Sequence, residues 1–288
     1  MKKVTIFIFS IIVLAMLVWM NCGGSSSPKM PQPPSNLWFS YGDDDLTVFL
    51  HWQQSSSQGI DGYRIYFENE RIGSVPPDSL SFSDAPEYLG TYSVTAYAED
   101  SESQRTYIQL PQLLTGEEVN LDTRGLCAFR FDYGYSWELR YYLVDYEGYD
   151  WYYGSPENEF LADSIDFYVD TAFVLRSPYR IVEEGRWSDA FHTRFILVER
   201  DVSLETFDIT SVVPLFDEAI FSDSCAVQQG DMVGIVTFRN QEPSSDSDKT
   251  YTLIYITATG ITDEHPWIEF YYKSQTDKNF RLVKEPPQ

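Results

Sequence analysis

Only three cysteines and three histidines occur in this chain of 288 residues, and none of them shows the close Cys/His spacing of a zinc centre. Glycine-rich phosphate loops, nucleophile elbows and EF-hand loops are missing as well. Basic side chains are scarce: 20 Lys and Arg stand against 44 Asp and Glu, for a net charge of −24. A surface of that sign repels phosphate backbones and anionic headgroups, so nucleic acid is excluded as a partner. Past Ser27 no window of about 11–18 residues keeps apolar side chains at a helical period, which argues against a helical domain.

What the chain has instead is aromatic and β-branched. With 21 Tyr, 19 Phe and 7 Trp beside frequent Val, Ile and Thr, the composition suits pleated sheets, and the expected fold class is all-β. Acidic residues are scattered rather than blocked and apolar content is ordinary, which argues against an intrinsically disordered chain.

The first residues form an export signal. Lys2 and Lys3 precede an apolar run from Val4 to Met20, followed by Asn21-Cys22-Gly23-Gly24. With a cysteine at the cleavage point, residues 1–22 resemble a bacterial lipoprotein signal, although Trp19 departs from the motif. That resemblance implies lipidation of Cys22, the lipid bilayer as a partner, and a place in the cell envelope, at the outer membrane or cell surface rather than the inner membrane. An uncleaved membrane anchor and an ordinary cleaved signal stay open, because the run is close to the ~18-residue limit for a spanning helix. Residues 23–35, rich in Gly, Ser and Pro, read as a tether that cannot build a core. If Cys22 carries lipid, Cys127 and Cys225 remain as an even pair in an oxidising compartment, and a disulfide between them is expected. Two buried free thiols are the alternative.

Alternation is clearest in Leu46-Thr47-Val48-Phe49-Leu50-His51-Trp52, Tyr63-Arg64-Ile65-Tyr66-Phe67 and Tyr92-Ser93-Val94-Thr95-Ala96-Tyr97-Ala98, each with one apolar face and turn residues between. Trp52 closing its strand, the Gly62–Tyr66 strand and Tyr92 resemble a fibronectin type III domain over residues 33–110. The resemblance implies a seven-stranded immunoglobulin-like sandwich, with Trp52 in the core, Tyr92 as the tyrosine corner and His51 facing out. Modules of this kind serve many roles, so the fold alone assigns no activity.

Residues 114–288 match no family by eye. Alternation continues at Phe129–Tyr133, Trp137–Leu143 and Ile165–Val169, where Asp166, Tyr168 and Asp170 are expected to face out. Phe195–Val198 and Thr252–Ile256 are apolar on both faces, as strands buried twice would be. A larger antiparallel β-sandwich follows, with a jelly roll as one form of it.

Candidate sites are few. His51, His192 and His265 read as surface or turn residues. Asp43, Asp44 and Asp45, and Asp217 and Glu218 with Asp223, are candidate calcium ligands, though acids on exposed turns are ordinarily just solvated. No other cofactor is expected. Tyr149, Trp151, Tyr152 and Tyr153 lie among turn residues between Gly148 and Pro156 and form a candidate binding patch, the alternative being a hairpin that folds back and buries its rings. The favoured function is a non-catalytic interaction or structural lipoprotein with a protein or glycan partner. A carbohydrate-binding module using residues 149–153 is the alternative, and a glycan-active enzyme with two carboxylates is a third reading.

Overall fold

A computed structural model describes residues 30–122, 126–129, 142–144, 166–170, 172–179, 191–238, 242–262 and 265–287. The signal region with Cys22, and the aromatic patch Tyr149, Trp151, Tyr152 and Tyr153, lie outside the described residues.

The N-terminal unit is a sandwich of two antiparallel sheets. β1 (Ser35–Tyr41), β2 (Val48–Gln53) and β5 (Ser81–Asp84) form one, in the order β1-β2-β5. The facing sheet has β3 (Gly62–Phe67), β4 (Glu70–Val75) and β6 (Thr91–Ala98) in the order β4-β3-β6. Both β7 (Ser101–Glu102) and β8 (Thr106–Gln109) pair with β6, as one interrupted strand. Three strands thus face four strand positions, the fibronectin type III-like arrangement. The alternation sets the faces: Val48, Leu50, Trp52, Tyr63, Ile65, Tyr92, Val94 and Ala96 are all buried. Trp52 meets Tyr63 edge-on at 5.4 Å. Tyr92 donates its hydroxyl to Asp84 Oδ2 at 2.7 Å, so the tyrosine corner here closes on a carboxylate at the end of β5 rather than on backbone. Burial, and then that carboxylate, push the Tyr92 pKa up.

The chain enters this sandwich earlier than composition suggests. Pro31 and Pro34 are buried. Gln32 binds Ser57 Oγ through its N–H (2.8 Å) and Ser55 Oγ through its carbonyl (2.6 Å). The tether of residues 23–35 therefore ends near residue 30, because its last prolines are docked on the fold.

Among its described residues the C-terminal unit also has two sheets. β9 (Leu113–Asp122), β14 (His192–Glu199), β16 (Met232–Phe238), β17 (Lys249–Thr262) and β18 (His265–Gln275) run in the order β14-β16-β17-β18-β9. β10 (Leu126–Phe129), β11 (Tyr142–Val144), β12 (Phe167–Val169), β13 (Val174–Arg176) and β15 (Ser224–Ala226) run in the order β11-β10-β12-β13-β15. Within these sheets β10–β11, β12–β13 and β16–β17–β18 are consecutive neighbours, while β13–β15 and β14–β16 interleave between the two sheets.

The middle of the first of these sheets, β16 with the first half of β17, is buried on both faces. Val233, Ile235, Ile254, Ile256, Ile268 and Phe270 pack on Phe167, Val169 and Leu175 of the second sheet. The opposite face, with Met232, Val236, Phe238, Tyr251 and Leu253, is covered by Phe207, Val213, Phe216, Phe221 and the C-terminal residues Phe280, Leu282 and Val283. Phe207 sits on the short helix α1 (Leu204–Ile209), which begins where Ser203 accepts a hydrogen bond from the Thr206 N–H. The doubly apolar run around Leu253 is thus a central strand, as its composition implies, whereas the run around Phe195 lies on β14 at the edge of the sheet, where Ile196, Leu197 and Val198 are only half-buried. Asp166 and Tyr168, by contrast, are enclosed rather than outward.

The expected Cys127–Cys225 disulfide does not form. Cys127 pairs with Val169, Val169 with Leu175, and Leu175 with Cys225, which puts the two cysteines in one row with two strands between them. Three strand spacings of ~4.8 Å separate their Cα atoms by about 14 Å, and a disulfide spans at most about 7 Å. Cys225 is a free, half-buried thiol. Burial, with Asp231 adding to it, pushes its pKa up to about 11.

Candidate functional site

The feature that distinguishes this molecule from two beads on a string is the joint between its units. Leu110 and Leu113 are both buried, at 2% and 4% exposure, so the connection Pro111-Gln112 is pinned at either side. One apolar cluster runs from Val48 through Leu89, Leu110 and Leu113 to Phe280 and Val283, crossing from one unit into the other.

At the centre of the joint is the turn that follows β1. Gly42 and Thr47 close it through a backbone hydrogen bond of 2.8 Å, and Asp45 takes a left-handed backbone with φ 50°. Asp44 folds over the turn and accepts from the Leu46 and Thr47 N–H groups and the Thr47 hydroxyl. Burial alone would raise the Asp44 pKa; these hydrogen bonds, with Arg281 nearby, outweigh it and hold the carboxyl below its ordinary value. The Asp45 side chain instead points into the second unit. It meets Lys249 Nζ at 3.0 Å, with both side chains about 5% exposed, and accepts from the Tyr251 hydroxyl at 2.5 Å. Lys249 completes its shell on the Ser245 carbonyl, 2.9 Å away. Burial and the Asp45 carboxylate push the Tyr251 pKa up.

The C-terminal segment ties the two units a second time. Arg281 gives its N–H to the Asp45 carbonyl (2.8 Å), its Nε to the Asp44 carbonyl (2.9 Å) and an Nη to the Val213 carbonyl (3.0 Å). Tyr41 stacks on Phe280 with ring centroids 4.3 Å apart and donates to Asp277 at 2.7 Å. Leu89 N–H reaches the Lys284 carbonyl at 2.8 Å. Two of the candidate calcium ligands, Asp44 and Asp45, are thus spent on a turn and an ion pair. Asp217 bonds the Ala219 N–H, closing a turn, apart from that site. Among the described residues, no three His, Cys, Asp or Glu side chains converge as a metal-binding group.

The outer faces of the first sandwich differ in chemistry. On the β4-β3-β6 sheet, Glu102 accepts from Arg64 (2.5 Å), Tyr66 (2.6 Å) and Thr95 (2.6 Å). Burial opposes ionisation of Glu102, but those three donors prevail and keep its pKa low. Arg64 lies over Tyr97 at 4.4 Å and Arg105 over Tyr66 at 4.0 Å, so this face is internally satisfied. The β1-β2-β5 face carries Trp38 stacked on His51, with ring centroids 4.1 Å apart, and Trp38 is 52% exposed. Trp38 is not among the candidates that motif and composition single out. Its signal lies in β1 itself, where Leu37, Phe39 and Tyr41 turn inward and leave Trp38 on the opposite face.

Elsewhere, His192 is buried rather than on the surface, stacked on Tyr179 at 3.5 Å and 3.9 Å from Glu242. Lys273 donates to the Phe207 and Asp208 carbonyls at the C-terminal end of α1, and burial pushes its pKa down to about 8. The described residues contain no helix long and apolar enough to cross a membrane.

No family model matches the chain, and no curated protein matches it. The spore cortex lytic enzyme SleM of Clostridium perfringens is similar over 27% of this chain and 27% of its own, at 16% identity and a TM-score of 0.25. A structure named FN3tt mut is similar over 27% of this chain and 92% of its own, at 24% identity and a TM-score of 0.23. The chain spans about a quarter of the enzyme's length, and TM-scores of this size assign no activity.

Proposed function

We propose that the chain is a membrane-anchored, non-catalytic interaction module of the cell envelope, lipidated at Cys22 and facing the outer membrane or cell surface. The first sandwich is its spacer, and the second is held at the far end for a protein or glycan partner. The observation that carries this reading is the placement of the joint. Ser35 pairs with Gln53 and Tyr41 with Val48, so β1 leads from the pole where Gln32 docks to the pole where Asp45 enters the second unit. At ~3.3 Å per residue the strand carries the chain roughly 20 Å away from its entry point. An anchor preceding residue 30 would thus join the spacer at the pole away from the second sandwich. The ion pair and shared core make the arm stiff, where an ordinary domain pair would hinge.

Fatty-acid labelling in a bacterium that processes lipoproteins tests the anchor. The chain is expected to take up label and Cys22→Ser to lose it; label surviving that substitution rejects Cys22. Stiffness is tested by spin labels at positions 74 and 218 in a chain whose cysteines are replaced by serine. One narrow distance distribution is expected, and a broad one defeats the rigid-arm reading.

A further inference from the structure

The outer face of the β1-β2-β5 sheet is a small grid of side chains. Trp38, His51 and Ser81 stand in one row across the three strands, and Ser40, Phe49 and Ser83 in the next. In a chain with 44 acidic and 20 basic side chains, none of these six carries a formal charge when His51 is neutral. Ser81 and Ser83 are exposed, Phe49 is 38% exposed, and Gln53 follows on the same face.

We infer that this grid is a binding platform for a neutral saccharide, with Trp38 as the stacking surface. The imidazole of His51 covers one face of the indole at an interplanar angle of 21° and leaves the half-exposed ring open on the other side. Ser40 Oγ lies 3.4 Å from His51 Nε2 and helps to set that ring in place. A tryptophan so braced is oriented before any ligand arrives, so little rotamer freedom remains to be lost on binding. The C–H face of a pyranose is apolar and lies flat on an aromatic ring, while its hydroxyls need hydrogen-bonding neighbours. Serine hydroxyls and a glutamine amide, which both donate and accept, surround the ring here.

Size and charge choose the occupant. Two rows a dipeptide apart on three strands make a patch on the order of 200 Å². A stable protein interface needs about 800 Å² on each side, so a second copy of the chain or a globular partner is poorly matched. One or two sugar rings fit. An anionic ligand would meet the field of a −24 chain, and a cationic one would find no carboxylate in the grid. This site belongs to the spacer and does not depend on the anchor or the rigid joint.

Titration of the full chain with cellohexaose, laminarihexaose and chitohexaose, followed by tryptophan fluorescence and calorimetry, tests the inference. At least one is expected to bind. Trp38→Ala should weaken that binding about tenfold or more, and Trp38→Tyr, which keeps a ring, should retain most of it. Ser81→Ala with Ser83→Ala should lower affinity several-fold without moving the melting temperature. Failure of all three sugars to bind overturns the inference, and so does binding that ignores Trp38→Ala while the variant melts as the parent does. Sedimentation showing a dimer that Trp38→Ala dissolves would overturn it as well, since a second copy would then be the occupant.

Discussion

The two sandwiches solve the same packing problem in different ways. In the first, β2 has one face in the core and one toward solvent, and its side chains alternate cleanly along Val48-Phe49-Leu50-His51-Trp52. Only β6 is closed over on both faces, by the Arg64, Tyr66 and Glu102 network. In the second, β16 at the heart of its sheet is enclosed on both sides, and all seven of its residues are buried. The first unit can therefore spare its outer faces for polar networks and exposed rings. The second spends its central sheet wholly on stability. The contrast shows where variation is tolerated: at outward positions of the first sandwich, and scarcely anywhere on β16 or the middle of β17.

The comparison predicts unequal responses to mutation, and the largest lies at the joint. Asp45→Ala leaves the Lys249 ammonium buried without its partner, and losing one member of such a pair costs about 3–5 kcal/mol. Trp52→Ala, a large-to-small change in the first core, should cost a similar ~3–5 kcal/mol. The two differ in how the chain then unfolds. Trp52→Ala should keep one cooperative transition in urea, whereas Asp45→Ala should separate the units and give two. A single transition in Asp45→Ala would mean the shared apolar cluster alone joins the units.

An intermediate effect is expected at Lys273. Burial holds its pKa down to about 8 in the folded chain, while an unfolded lysine keeps its proton to about 10.4. Between those values the unfolded state binds more protons than the folded one, so stability rises with pH across that window. The side chain is only partly enclosed, so after allowance for solvent the gain is on the order of 1 kcal/mol. Denaturation at pH 8 and pH 10 should show it in the parent and not in Lys273→Met; equal slopes in both would reject the assignment.

The smallest effect belongs to the outer face. His51→Ala removes a stack rather than a core contact and should cost about 0.5–1 kcal/mol. A loss as large as that of Trp52→Ala would mean the face is not free.

Much of this fold is legible in the residues. Inward and outward sets of β2, β3 and β6 follow from period two, and the doubly apolar stretch around Leu253 marks an enclosed strand, while the similar stretch around Phe195 belongs to the edge strand β14. Local pattern fails where two distant segments meet. Asp43-Asp44-Asp45 reads as a solvated acidic turn because nothing nearby says that Lys249 and Tyr251, some two hundred residues on, will close over Asp45. Cysteine parity suggests a bridge, but parity carries no information on strand order, and β12 and β13 lie between Cys127 and Cys225. Pro31 and Pro34 look like linker by composition and are held by the partners they find on the sandwich.

Sequence alone determines that this chain is strongly acidic and all-β, with a fibronectin type III-like alternation in its first sandwich. Those properties come from local periodicity, composition and net charge, which need no knowledge of what packs against what. Tertiary structure alone decides that the two units share one core, that Asp45 is paired with a lysine, that the cysteines stay apart, and that Trp38 stands open on His51. Each of these depends on the order of strands in a sheet or on a contact between remote segments. Side-chain alternation fixes which face a residue takes but not what that face will meet.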